Sequence, residues 1–207
     1  MYQPTHHRED RLEVQHGLIE SHPLGLLISS GTEGLLANPI PFLLKRGAGP
    51  RGTLLTHLAR ANAQWRDADG QKVLVVFQGP QAYVSPSNYA TKSETGKVVP
   101  TWNYVMVQAR GVARVHADPA WLEAQINALT SAHEEHRARA WAVSDAPRNF
   151  IESQMRGIVG IEIEIDAIEG KWKVSQNRPE ADRRGVAEGL ARDAPDMSAL
   201  VRRYGNI

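Results

Sequence analysis

Apolar and polar residues recur along this chain in two rhythms, one helical and one alternating. Between residues 8 and 21, Leu12, His16 and Ile19 share a helical face, and the pattern stops at His22-Pro23, where proline disfavours continuation. Short apolar runs separated by turn residues follow. Leu24–Ser30 predicts a strand, residues 30–34 (Ser-Gly-Thr-Glu-Gly) a turn, and Leu35–Leu44 a second strand. Asn38-Pro39 and Pro41 mark that second strand as an edge or a bulge, because proline gives no N–H to a ladder. Arg46–Gly52 reads as a glycine-rich loop. Thr53–His57 predicts a short strand that hands over to a helix or turn at Ala59–Trp65. Val73–Phe77, rich in β-branched residues, predicts a buried strand, with a turn at Gln78-Gly79-Pro80 and a returning strand at Ala82–Ser85. The polar stretch Ser87–Lys97 predicts a surface loop. Val98–His116 alternates and predicts one or two strands with a break near Arg110-Gly111. Six or more strands at regular spacing favour an antiparallel barrel or sandwich over a parallel βαβ sheet.

The second half changes character. Asp118-Pro119 has the form of an N-cap followed by proline at the first helical position, and Leu122, Ile126 and Leu129 hold helical period to about Glu134. A further helix is expected from near Pro147 to Arg156. Gly157–Asp166 alternates, with Ile161, Ile163 and Ile165 on one face and Glu162, Glu164 and Asp166 on the other, as in a half-buried strand. Lys171–Val174 is expected to pair back across a Glu169-Gly170 turn, and one or two short helices close the chain. With no internal repeat and no low-complexity linker, the expectation is one domain over residues 1–207, mainly β with peripheral helices (α+β), a helical N-terminal segment and a helical C-terminal tail.

Composition narrows the chemistry. The 207 residues suffice for a sizeable core, and the absence of cysteine excludes disulfides, thiolate metal sites and a cysteine nucleophile. The N-terminus lacks the basic start and apolar core of a signal peptide, and the longest apolar runs, Leu24–Ile28 and Val73–Phe77, are too short to span a bilayer. A cytoplasmic location without membrane contact is the expectation. Net charge is +1, with basic pairs at Arg183-Arg184 and Arg202-Arg203 but no basic run, which argues against binding DNA mainly through its phosphates.

No Walker A loop, GxGxxG, GxSxG, HExxH or CxxC is present. His133 and His136 are spaced to share a helix face, but with Glu134 and Glu135 between them they read as a solvated helix end, so no metal site is expected. His6-His7, near the terminus, reads as surface. The alternation of Glu162 and Glu164 is that of a solvated strand face, and no residue is assigned a catalytic role.

Three segments concentrate recognition chemistry. Thr56–Trp65 brings a hydroxyl, an imidazole, a guanidinium and amides to a strand end, where backbone N–H groups and cations can meet a phosphate; a surface Arg60 and a capping Asn62 account for it equally. Val99–Tyr104 carries two aromatics, an amide and a hydroxyl, suited either to the wall of a planar ligand or to a core or subunit interface. Gly170–Pro179 sets Lys171 and Lys173 on one face of a strand with Trp172 toward the core, as a ligand site or as a lysine-guarded edge.

MYQPTHHRED, GTLLTHLARANAQW, VVFQGPQAYVSPSNYATKSETGKVVPTWNYVMVQARG, WAVSDAP and GKWKVSQNRPEADRRGV together resemble the PaiB family of FMN-binding, so-called negative transcriptional regulators, from Met1 to about Gly189. VPTWNY and GKWKVSQNRPEADR are long and chemically unusual. The resemblance implies an antiparallel FMN-binding split β-barrel, FMN as cofactor, and a homodimer with flavin sites at its interface. It implies that Thr56, His57, Arg60 and Asn62 lie where split barrels grip the flavin phosphate, and that Thr101, Trp102 and Asn103 lie near the ring. Lys171, Trp172, Gln176 and Asn177 would seal the pocket, from the same or the partner subunit. The function implied is a transcriptional regulator or flavin-dependent sensor. The alternatives are a flavin-dependent oxidoreductase or flavin reductase, and a haem-handling protein with His57 or another histidine as axial ligand. A DNA or protein partner in regulation is compatible with the resemblance, but the chain carries no DNA-binding motif.

Overall fold

The computed structural model describes residues 1–32 and 34–207; Glu33, within the turn expected at 30–34, lies outside the described residues. In chain order the elements are β1 (Arg8–Glu9), α1 (Leu12–Ser21), β2 (Leu24–Gly31), β3 (Gly34–Pro41), β4 (Leu43–Lys45), β5 (Thr53–Ala59), α2 (Gln64–Ala68), β6 (Lys72–Val84), α3 (Thr91–Thr95), β7 (Thr101–His116), α4 (Pro119–Glu134), α5 (Arg148–Arg156), β8 (Ile158–Lys173), α6 (Glu180–Leu190) and α7 (Pro195–Gly205). Short 3-10 turns lie at Thr5–His7, Pro86–Asn88 and Val143–Asp145. Among the described residues no helix is long and apolar enough to cross a membrane.

The described residues form two compact units, one of Met1–Leu18, Gln78–Val107 and Glu169–Ile207, the other of Ile19–Phe77 and Gln108–Ile168. The boundary cuts the long strands β6, β7 and β8 and falls at no linker.

In the second unit the strand order is β3-β2-β6-β7-β8-β5-β4. β3 is an edge strand, as its prolines require, and it pairs antiparallel with β2 through Leu26↔Pro39 and Leu24↔Pro41. β5 pairs antiparallel with β8, placing Thr56 opposite Ile161 and His57 opposite Gly160. Ile161, Ile163 and Ile165 are buried, as their alternation predicts, and so are Leu27, Leu54, Val75 and Phe77. Asp118 caps α4 by accepting the Trp121 N–H at 2.9 Å. A smaller apolar cluster joins α4 and α5 through Leu122, Val143, Ile151 and Met155.

The first unit pairs β1 with the end of β8 (Glu9↔Gly170) and packs α6 against α7. Asp182 of α6, itself buried, accepts from the Thr91 N–H at 2.9 Å and the Thr91 hydroxyl at 3.0 Å, so α6 clamps the start of α3.

Five expectations are corrected. The first helix starts at Leu12 because residues 8–9 join the sheet and the Glu9 carboxylate accepts the Arg11 N–H at 3.1 Å. Gln78-Gly79-Pro80 is no turn: β6 runs straight through it. A Cβ at Gly79 would lie 2.6 Å from a Leu18 methyl and 2.7 Å from a Val105 methyl, so glycine here serves close packing. Pro80 sits beyond the stretch of β6 that pairs with β2, which ends at Val76. β7 is likewise unbroken at Gly111, where a Cβ would come within 2.0 Å of the Glu164 carbonyl oxygen. Glu169-Gly170 is no turn either, since β8 continues to Lys173 and pairs with β1. The expected loop at 87–97 contains α3 and a buried tyrosine, Tyr89.

Candidate functional site

The segment Thr101–Met106 of β7 alternates in burial. Asn103 and Val105 turn into the first unit's interior, and Trp102, Tyr104 and Met106 take the opposite face. On β8 Trp172 is buried, as expected, and Lys171 and Lys173 take the opposite face of the strand, Lys171 also buried and Lys173 half-buried. Both ammonium groups lie over the Tyr104 ring, Lys171 at 5.4 Å and Lys173 at 6.0 Å from its centre. Lys171 also stands 5.4 Å from the Tyr2 ring and donates to the Tyr2 carbonyl at 3.0 Å. Lys173 donates to the Thr101 hydroxyl at 2.5 Å and to the Trp102 carbonyl. Trp102, half exposed, meets Tyr83 edge-to-face at 6.1 Å. Beside these rings a cavity of about 300 Å3 is lined by Gln78, Gly79, Gln81, Trp102, Tyr104 and Met106.

Among the described residues, none of Lys171, Lys173 and Arg178 forms an ion pair; Arg178 lies over the Tyr89 ring at 4.9 Å. Burial, then Lys171 and Arg178, hold Lys173 below the ordinary lysine range. His7, expected at the surface, is instead buried, because β1 ties its segment to β8. Burial pushes its imidazole down to about 4; His6, Lys173 and Lys171 add to this, and a hydrogen bond with Gln176 opposes it. Among the described residues its Nδ1 is buried without a partner. Like charges held together in a partly dry environment favour an anion arriving among them.

The remaining predicted residues of this unit serve the turn after β8. Asn103 is buried and donates to the Ser175 hydroxyl at 2.9 Å, fixing a residue whose φ is +66°. Gln176 accepts from the Val174 N–H at 2.8 Å and donates to the Trp172 carbonyl at 2.5 Å. Asn177 is exposed.

Thr56, His57, Arg60 and Asn62 belong to the other unit. Thr56 is fully buried and donates to the Pro41 carbonyl at 2.7 Å. His57 Nδ1 lies 2.8 Å from Oε1 of the buried Gln125, which makes it the donor. Asn62 accepts from the Gln64 N–H at 3.0 Å at the start of α2. Arg60 donates from Nε to the Arg156 carbonyl and from Nη2 to the Ile158 carbonyl, each at 3.1 Å. Of the four, Arg60 lines a cavity, one of about 320 Å3 beside α4 and α5.

The sequence pairs Tyr104 with Trp102 as candidate ring-facing aromatics but gives Tyr2 and His7 no site role. Tyr104 had a signal, since it stands two residues beyond Trp102 on a strand and so shares its face. Tyr2 and His7 had none, because their position follows from a two-residue strand pairing more than 160 residues away in sequence.

Residues 1–167 match the family described as "Putative FMN-binding domain". An uncharacterized protein of Emericella nidulans is 35% identical over 100% of this chain and 98% of its own. Protease synthase and sporulation protein PAI 2 of Bacillus subtilis is 29% identical over 97% of this chain and 96% of its own. The chain belongs to the PaiB family. Among solved structures, the FAD and heme binding protein from Mycobacterium smegmatis superposes on this PaiB-family chain with a TM-score of 0.58, at 18% identity, over 80% of this chain and 73% of that one. The fold of this PaiB-family chain is thus the antiparallel split β-barrel with peripheral helices.

The face in the first unit fits a flavin mononucleotide in its chemistry. Trp102 and Tyr104 offer aromatic surface to a planar ring, Gln78 and Gln81 carry amides that suit its polar edge, and Lys171 and Lys173 are cations that form no ion pair among the described residues.

Proposed function

We propose that this PaiB-family chain binds FMN and acts as a homodimer with regulatory or sensory output. The observation that carries the reading is the pair of ammonium groups over Tyr104, beside an aromatic cavity and without an acidic partner among the described residues. Lys171 and Lys173 would hold the anionic part of the cofactor, and Trp102 and Tyr104 would bound its ring. Gln176 and Asn103 keep the β8 turn in place and so orient the lysines. Bound FMN would supply reversible one- or two-electron chemistry. The family description and the flavin named for the Mycobacterium smegmatis protein support the cofactor. The sporulation role in the name of the Bacillus subtilis relative supports a regulatory output. Leu24 and Leu26, exposed on the outward face of β2, and Leu35 on edge strand β3 support pairing with a second copy.

The test is a titration of the purified chain with FMN, followed by flavin fluorescence and by sedimentation. The reading requires saturable quenching at one FMN per chain and the mass of a dimer. Absence of saturable quenching removes the cofactor, and a monomer's mass removes the dimer.

A further inference from the structure

The cavity beside Arg60 combines an apolar floor with a cationic rim. Leu122 and Met155, both buried, form the floor, with Ala117 and Pro119 beside them. Arg60, Arg148 and Arg156 stand at the rim, and Glu152 is its one acidic lining residue. The three guanidinium groups differ in what they have left to offer. Arg148 is neutralised by two carboxylates, Glu123 through both terminal nitrogens and Glu152 through Nε at 2.8 Å. Arg60 and Arg156 form no ion pair among the described residues. Arg60 is also held still, because its two bonds to the Arg156 and Ile158 carbonyls fix the plane of the guanidinium, while its Nη1 makes no hydrogen bond among the described residues. A fixed, uncompensated guanidinium above apolar side chains is suited to the two oxygens of a carboxylate attached to an apolar body.

We propose that this cavity binds a small amphipathic carboxylate, its charge held by Arg60 and Arg156 and its aryl or short acyl body lying on Leu122 and Met155. The volume of about 320 Å3 is at the small end for ligand sites, which limits the ligand to one ring or a short chain. This assignment does not rest on the FMN reading. Capping of the end of α5 explains the Arg156 carbonyl contact, but it does not call for the Ile158 contact on β8, for an apolar floor or for Arg156 at the same rim.

The test uses the full chain carrying 13C-methyl methionine and 15N arginine, titrated with benzoate, octanoate, acetate and inorganic phosphate. Benzoate or octanoate should shift the Met155 methyl and the Arg60 Nε–H signals saturably, at least tenfold more tightly than acetate or phosphate. Arg156→Gln should weaken that binding at least tenfold. Glu152→Gln, which removes an acid from the rim, should tighten it. No saturable shift, or unchanged binding in Arg156→Gln with a native-like spectrum, overturns the proposal. Phosphate binding as tightly as benzoate reduces the cavity to a simple anion site and also overturns it. Displacement of benzoate by FMN would assign Arg60 to the flavin phosphate; the proposal would then fall, and FMN binding would stand but away from the Lys171–Lys173 face.

Discussion

The hydroxyl of Tyr204, in the last helix, donates to the Glu9 carboxylate at 2.7 Å and ties α7 to strand β1. Arg11 binds the same carboxylate through Nε at 2.8 Å. Burial by itself would raise Glu9, but the bonds from Arg11 and Tyr204 outweigh it and hold the carboxyl below its usual range. Glu9 is therefore a buried anion, and removing one of its donors leaves it undersatisfied. Hydrogen bonds to charged groups contribute about 1.5–3 kcal/mol. We predict that Tyr204→Phe lowers unfolding stability by an amount in that range, measured in urea. A loss under about 0.5 kcal/mol, the level of an ordinary surface substitution, would show that Arg11 alone satisfies the carboxylate.

His7 predicts an acid sensitivity. Its native pKa of about 4 lies below the ordinary 6.5, so the unfolded chain takes up the proton first as pH falls. Stability is complete above about pH 6.5, declines through the window down to about pH 4, and levels off below. The loss attributable to this residue is on the order of 3 kcal/mol. Denaturant midpoints across pH 4–7.5 should show the decline, and His7→Gln should flatten that part of the curve. A variant curve parallel to the wild type would place the proton elsewhere.

Gly111 predicts a packing defect. Because a Cβ there meets the Glu164 carbonyl oxygen at 2.0 Å, the strand backbone itself would have to move. Gly111→Ala should cost at least about 1–3 kcal/mol, the range for overpacking, despite removing a flexible residue from a strand. Thermal unfolding of the variant decides it; a Tm equal to or above wild type would mean that β7 and β8 separate freely at this point.

For the cofactor, Lys173→Met and Lys171→Met should each weaken FMN at least tenfold, since each removes one charge-assisted contact worth about 1.5–3 kcal/mol. The wild-type affinity should also fall as salt rises. Retention of full affinity in both variants would move the flavin away from this face.

Asp118→Ala should cost about 1 kcal/mol by leaving the Trp121 N–H without its acceptor. Asp118→Asn should recover most of that loss in the same urea experiment.

The sequence by itself determined the elements whose evidence is local. The cap at Asp118 and proline at 119 start α4 where they stand, the prolines of β3 put it at an edge, and the isoleucine alternation buries one side of β8. In each case neighbouring residues carry the cause. The motif-rich segments were legible as a resemblance, and the family match over residues 1–167 agrees with it. Tertiary structure decided what glycine and the termini mean. Gly79, Gly111 and Gly170 look like turns along the chain, yet each lies inside a long strand, at 79 and 111 because a distant chain passes too close for a side chain. His7 looks like a loose end, yet pairing of residues 8–9 with 170–171 buries it beside the lysines. Close approach and burial are set by partners remote in sequence, and a local pattern holds no record of them.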